Sequence, residues 1–376
     1  RLFGLESTLK LGTQLEQRES DGFTLGVSSQ PFPADIDVDS YNTGKRWDTN
    51  FTNTIGGTYY DNPGLLRAWQ ATGDLDNLTV ADERLIQLDE DIYAVYGMLT
   101  HDFNWGSMVY GLRIENTDYT SSGSIADYSD DFLNVLPSAH VNYELTDNQK
   151  LRVSLSSGIS RPTYEEWRAG IAILPIARTA TGGNPALEAE EAYGIDLSYE
   201  YYIGDASMFA TAVFYRAIDN VIYNDVTKVD GGDYYPPDAG VEWDFVGAVN
   251  GENGHLAGLE LNLIAQFEDF SEGLLPGFGF SGNVTFLDSE FETLTGTKFS
   301  MPGTSDLIYN ASIYYENFGL SARLNYQYRD EWLSTTEDAT GGQYWDEQQR
   351  VDLSIRYTLP MELQGGSLSL YLDANN

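Results

Sequence analysis

Asp35-Ile36-Asp37-Val38-Asp39-Ser40 places three carboxylates at alternate positions. That is the spacing with which a calcium-binding loop begins, since Ca²⁺ takes hard oxygen ligands. Asp35, Asp37 and Asp39 are therefore candidate ligands for a loop-bound calcium ion. The full pattern is not met, because Ser40 stands where such a loop needs glycine and Arg46 where it needs the bidentate glutamate. A hydrated acidic loop is the alternative.

Other candidate chemistries are weaker. Glu188, Glu190 and Glu191 have the functional groups of a paired acid–base site, but they also suit a solvated rim ahead of a strand. His101, His140 and His255 share no ligand-type spacing. Gly277-Phe278-Gly279-Phe280-Ser281-Gly282 matches a dinucleotide fingerprint by letter, yet it leads into a strand pattern rather than a helix. No cysteine is present, which excludes a disulfide scaffold, thiol catalysis and thiolate metal sites. The sequence predicts no enzyme.

Aromatic residues make up 13% of the chain, with 26 tyrosines. Trp47, Tyr59, Tyr60, Trp69, Trp167, Tyr234, Tyr235, Trp243, Trp332, Tyr344 and Trp345 fall in segments between strand patterns. Flat rings stack on the apolar faces of sugars, and neighbouring Asp and Asn can bond hydroxyls. These aromatics are the candidate ligand contacts. Girdle residues at a membrane interface, or packing between loops, would use the same residue types.

The net charge of −38 argues against a nucleic-acid partner, which needs basic surface. Residues 19–87 hold eleven acidic against four basic residues, and 224–254 seven against one. An anionic ligand would need a local cationic cluster to overcome that field.

These residues must be positioned by strands. Tyr193, Ile195, Leu197, Tyr199 and Tyr201 alternate with Gly194, Asp196, Ser198 and Glu200, and Leu320–Arg329 repeats the rhythm. A period of two means extended strands with one apolar and one polar face. Thirteen strands are expected, near 2–18, 88–103, 106–117, 131–145, 150–160, 190–203, 206–223, 255–269, 278–289, 305–316, 319–330, 346–359 and 366–374. Most run about 10–15 residues, whereas a strand tilted across a bilayer needs about 9–11. Connections alternate between short and long. There is no run of ~18 apolar residues for a membrane helix. The expected fold class is all-β, a transmembrane antiparallel β-barrel. An odd strand count leaves the first and last strands parallel and unable to close as antiparallel neighbours, so a partial barrel is expected.

Ordered wording supports this. Ser157-Gly158-Ile159-Ser160-Arg161-Pro162-Thr163-Tyr164 ends one strand. Gly183-Asn184-Pro185-Ala186-Leu187-Glu188 and Phe214-Tyr215-Arg216-Ala217-Ile218-Asp219-Asn220-Val221-Ile222 follow. Further matches are Asn253–Glu260, Phe286–Ser289, Met301-Pro302-Gly303, Ala322–Trp332 and Leu372-Asp373-Ala374-Asn375-Asn376. From about Asp89 onward the chain resembles the barrel of TonB-dependent outer-membrane receptors. The wording is similar to receptors of Caulobacter- and Xanthomonas-type bacteria.

The resemblance implies a 22-stranded barrel, of which these would be strands 9–21. The plug domain, the TonB box, the first strands and the last strand would lie outside residues 1–376, which read as one partial barrel domain. It also implies a Gram-negative outer-membrane location among lipid and lipopolysaccharide, with energy from a TonB–ExbB–ExbD complex acting through the N-terminal region. The implied activity is import of a scarce small-molecule nutrient, with a neutral oligosaccharide best suited to acidic, aromatic loops. A ferric siderophore or cobalamin is the alternative cargo. A passive porin, or a structural component with surface lipoprotein or S-layer partners, would use the same wall.

Overall fold

The computed structural model describes residues 6–24, 36–46, 58–72, 82–124, 126–270, 276–335, 342–363 and 366–376. Its frame is an antiparallel meander of thirteen strands. In chain order these are β1 (Glu6–Phe23), β2 (Leu85–Phe103), β3 (Gly106–Ser121), β4 (Tyr128–Thr146), β5 (Gln149–Ser160), β6 (Glu190–Ile203) and β7 (Ser207–Asp219). Then come β8 (Gly254–Gln266), β9 (Phe278–Glu292), β10 (Leu307–Asn317), β11 (Leu320–Arg329), β12 (Gln348–Leu363) and β13 (Gly366–Asn375). Each pairs with its sequence neighbours, and the two-residue strand Lys298–Phe299 attaches beside β9. β1 and β13 do not pair with each other among the described residues.

Register follows the alternation. Leu9, Leu99, Tyr110, Ala139, Leu155, Ile195, Tyr215 and Ala257 form one row across eight strands. The same face carries exposed Leu11, Val95, Leu112, Leu133, Leu197, Val213, Phe286 and Ile313. Apolar side chains left open in this pattern face lipid, where every backbone group must be bonded within the sheet. At one rim Phe103 stacks on Trp105 at 4.6 Å and Tyr143 tilts against Trp105 at 5.3 Å. Amphipathic rings belong at that depth. Glu16, Arg18, Glu90, Arg113, Glu115, Arg152 and Glu200 lie on the opposite face, which is the lumen wall.

Tight turns close the rim that carries those stacked rings. Asn104-Trp105 links β2 to β3, and Gly106 enters β3 at φ 141°. A Cβ there would sit 2.0 Å from the Asn142 carbonyl oxygen, so only glycine fits. At the turn after β6, Asp269 accepts the amides of Asp205 and Ala206 at 3.2 and 3.1 Å. Long segments cross the other rim, at residues 24–84, 161–189, 220–253, 293–306 and 330–347.

Two details differ from the sequence expectation. The strand expected over 206–223 stops at Asp219, because Asn220 turns to φ 60° and the chain leaves the wall. The connection expected at 118–130 shrinks to residues 122–127, because β3 and β4 continue pairing to Ser121↔Tyr128.

Candidate functional site: a packed loop layer above the wall

The residues after Ser160 turn into the layer through Arg161-Pro162. Proline cannot donate to the ladder, so strand pairing ends there. The Arg161 guanidinium turns back to the lumen wall. It donates to Thr117 Oγ1 at 2.9 Å and to the Glu115 carboxylate. Its Nε faces Glu90 Oε1 at 3.1 Å as an ion pair rather than an aligned hydrogen bond. Arg18 reaches the other oxygen of Glu90 at 3.1 Å, and Arg113 pairs with Glu115. Buried carboxylates are tolerable only with such partners.

Thr163 then caps a short helix, Tyr164–Trp167, through a complete capping box with Glu166. The helix delivers Trp167 into a closed pocket. Its ring stacks on Tyr119 at 4.3 Å, and its Nε1 donates to the Leu187 carbonyl at 2.9 Å. Tyr119 donates to the Pro185 carbonyl at 2.7 Å. Leu88, Leu187 and Ala248 complete this cluster. Burial pushes the Tyr164 phenol up, and it donates to Glu90 at 3.3 Å.

A second cluster is organised by a four-stranded sheet. Ile171–Leu174 and Thr179–Gly182 form a hairpin. Thr179–Thr181 runs parallel to Asp244–Val246, and Glu242–Asn250 pairs with Ile222–Asp230. Ala180, Val221, Tyr223, Trp243, Phe245, Val249, Phe291, Phe299 and Leu333 pack in one core. Four of the long segments thus share it. Trp243 lies against Gly231, where a Cβ would fall 2.3 Å from the indole, and its Nε1 donates to Asp238 at 3.0 Å. Asp230 accepts the amides of Gly232 and Gly240, both at 2.8 Å. Those two bonds hold its carboxyl below the usual range.

The two clusters are joined by Asn250, a residue that sequence reading did not single out. Its side chain accepts the Glu188 amide at 2.9 Å. It donates to the Glu188 and Asn220 carbonyls at 3.0 and 2.9 Å. Asn220 donates to the Glu188 carboxylate at 3.0 Å, and Glu190 accepts the Ile222 amide at 2.9 Å. The segments Gly183–Glu188 and Asp219–Ile222 are therefore clipped to each other. Glu188 and Glu190 act here as acceptors for a side-chain amide and a loop backbone N–H.

The candidate ligand contacts separate into three groups. Trp167 and Trp243, expected among the ligand-facing rings, are core residues with 0% and 1% of their surface exposed. Their indole N–H groups are satisfied inside the layer, so neither ring face is open. Tyr234 and Tyr235 are half-buried against Phe245 and Trp243. Tyr59, Tyr60 and Trp69 are half-buried in a separate unit of strands Asn42–Arg46 and Thr58–Tyr60 with the helix Asn62–Thr72. Tyr344 and Trp345 are open, at 53% and 57%. Trp345 stacks on Trp332 at 6.2 Å across a hairpin, and Arg329 lies over Trp332 at 3.8 Å. Trp47 lies outside the described residues.

Asp35 likewise lies outside them. Asp37 caps the turn Val38–Tyr41 by accepting the Asp39 amide at 3.2 Å, and Asp39 accepts from Tyr60 at 3.4 Å. Among the described residues, no group of three His, Asp or Glu side chains could hold a metal ion. The nearest approach to a catalytic pair is Ser7 with His101 Nδ1 at 2.8 Å, on the lipid side of the wall. The other imidazole nitrogen meets the Tyr110 phenol at 3.2 Å instead of a carboxylate.

The TonB dependent receptor-like, beta-barrel family model matches residues 3–376. Solved structures of similar fold include a ferric enterobactin receptor from Pseudomonas aeruginosa bound to enterobactin, with TM-score 0.58 and 17% identity over 99% of this chain and 46% of that one. The FrpB iron transporter from Neisseria meningitidis gives 0.57 and 13% identity over 99% and 49%. The siderophore receptor PirA from Acinetobacter baumannii gives 0.56 and 15% identity over 94% and 46%. This chain thus spans about half the length of those structures. No curated protein matches the sequence. The wall described above is an outer-membrane barrel wall of Gram-negative type, and the chain belongs to the TonB-dependent receptor β-barrel family.

Proposed function

We propose that the chain is the C-terminal part of an active outer-membrane transporter, of the Caulobacter/Xanthomonas type, that imports a neutral oligosaccharide. Energy would come from TonB–ExbB–ExbD through parts of the receptor beyond residues 1–376. No covalent chemistry is needed; the mechanism is capture in the loop layer followed by gated passage along the lumen.

The observation that carries the cargo is the open aromatic hairpin set in an acidic rim. Tyr344 and Trp345 present ring faces suited to sugar stacking, and Arg329 stiffens Trp332 behind them by donating to Ser305 Oγ and the Gly303 carbonyl. Residues 224–254 carry seven acidic groups against one basic, which disfavours an anionic iron chelate.

Isothermal titration of the full-length receptor with neutral oligosaccharides, ferric siderophores and cobalamin tests this reading. One sugar is expected to bind, and Trp345→Ala to weaken it about tenfold, ~1.4 kcal/mol. Binding of a siderophore or cobalamin with every sugar silent would overturn the cargo.

A further inference from the structure

The lumen wall is divided by charge. On β1–β7 its side chains form ion pairs: Arg18 with Glu90, Arg113 with Glu115, Arg152 with Glu200 at 3.0 Å, and Arg216 with Asp196 at 2.6 Å. These groups satisfy one another. On β8–β11 the lumenal row is Asn262, Asn283, Asn310 and Gln327, directly opposite one another strand by strand. The adjoining row sets Ser281, Ser312 and Asn325 in register. Between them lies a depression of about 330 Å³, at the small end of ligand-sized clefts, about 300–1,000 Å³.

Asparagine is depleted in strands, so a run of it on consecutive strands contradicts local preference. Such conflicts concentrate at functional positions. One amide pair is made, Asn310 donating to Asn283 at 2.9 Å. The side chains of Asn262, Asn325 and Gln327 have no protein hydrogen bond among the described residues. Ser312 Oγ, on a residue only 9% exposed, is also unpartnered. One charged side chain, Arg323, lines the depression, and further charges lie at its borders. Glu260 lies on β8 one row away, Arg350 pairs with Asp352 at 2.9 Å on β12, and Arg323 lies over Tyr314.

We propose that the amide and hydroxyl panel of β8–β11 is the stretch of lumen wall along which a neutral polyhydroxylated ligand passes. The proposal rests on the transport reading above. Each carboxamide offers both donors and an acceptor, as each sugar hydroxyl does. Uncharged groups repeated across strands give many weak, equivalent contacts, so a ligand can exchange one for the next without being held. On β1–β7 the charged lumenal groups are held in the ion pairs above.

The test uses cells expressing the full-length receptor and diazirine-tagged maltotetraose, xylotetraose and mannotetraose. Photolabelling during uptake, competed by untagged sugar, is expected on peptides from the wall strands Gly254–Gln266, Phe278–Glu292, Leu307–Asn317 and Leu320–Arg329. Labelling confined to the extracellular loops would overturn the panel and leave the cargo standing. Labelling confined to β1–β7 would overturn the panel as well. No competed labelling by any probe would overturn both readings. In parallel, Asn283→Asp with Asn310→Asp adds two carboxylates at constant size. Uptake is expected to fall at least tenfold with surface affinity unchanged within twofold; unchanged uptake would also overturn the panel.

Discussion

Asn250 shows how much a single side chain organises. It spends its acceptor on Glu188 and both donors on Glu188 and Asn220, so it holds two loops that are far apart in sequence. Replacing it with Ala removes three hydrogen bonds, each worth about 0.5–1.5 kcal/mol. Asn250→Ala is expected to loosen 183–190 and 219–223 together. Hydrogen exchange at the Glu188 and Ile222 amides should rise by at least tenfold, while the amides of β6 and β7 stay protected. A loss confined to one of the two loops would show that Asn250 is not their clip. Trp167 carries a different lesson. An aromatic residue in a polar segment reads equally well as ligand contact or core, because residue type does not encode burial. The capping box beside it is legible as Thr163 and Glu166 three residues apart, but what the helix faces depends on Tyr119 and Leu187, remote in sequence.

At the scale of elements, the wall strands were legible because ten or more residues repeat one alternation. The loop sheet was not. Ile171–Leu174 and Thr179–Gly182 are four residues each, too short for a period to stand out, and the second pairs in parallel with a segment more than sixty residues later. The exit at Asn220 was hidden too, because a left-handed residue leaves the apolar alternation around it intact. The turn after Asp230 is held by one carboxylate that accepts two amides. That carboxyl lies below its ordinary value of 3.8 in the folded protein, so the cap is fully present above that pH and is lost as pH falls further, through the lower folded value. Emission from Trp243, packed on the same turn, is expected to shift to the red below pH 4 at a higher pH in Asp230→Ala than in the unaltered receptor. Identical acid transitions would mean the cap contributes nothing to the layer.

For the whole molecule, the two faces of one wall obey opposite rules, and neighbouring residues can test this directly. Val213 is 45% exposed and lies in the row Leu197–Val213–Leu259 on the apolar face. Ala212, one residue earlier, lies between Ser198 and Glu260 on the lumen face. A cation on the lipid face costs about 2–4 kcal/mol near the bilayer midplane, because hydrocarbon cannot solvate it. On the lumen face water remains available, and the Glu260 carboxylate opposite would attract the new charge. Val213→Arg is therefore expected to destabilise the full-length receptor by about 2–4 kcal/mol in urea titrations of bilayer-inserted protein. Ala212→Arg is expected to stay within about 1 kcal/mol of the unaltered receptor, the size of most exposed ion-pair effects. Equal costs at both positions would mean the alternation does not separate lipid from lumen here. The reverse order would mean that the faces are exchanged, and the amide panel of β8–β11 would then face lipid, where its unpartnered groups could not persist.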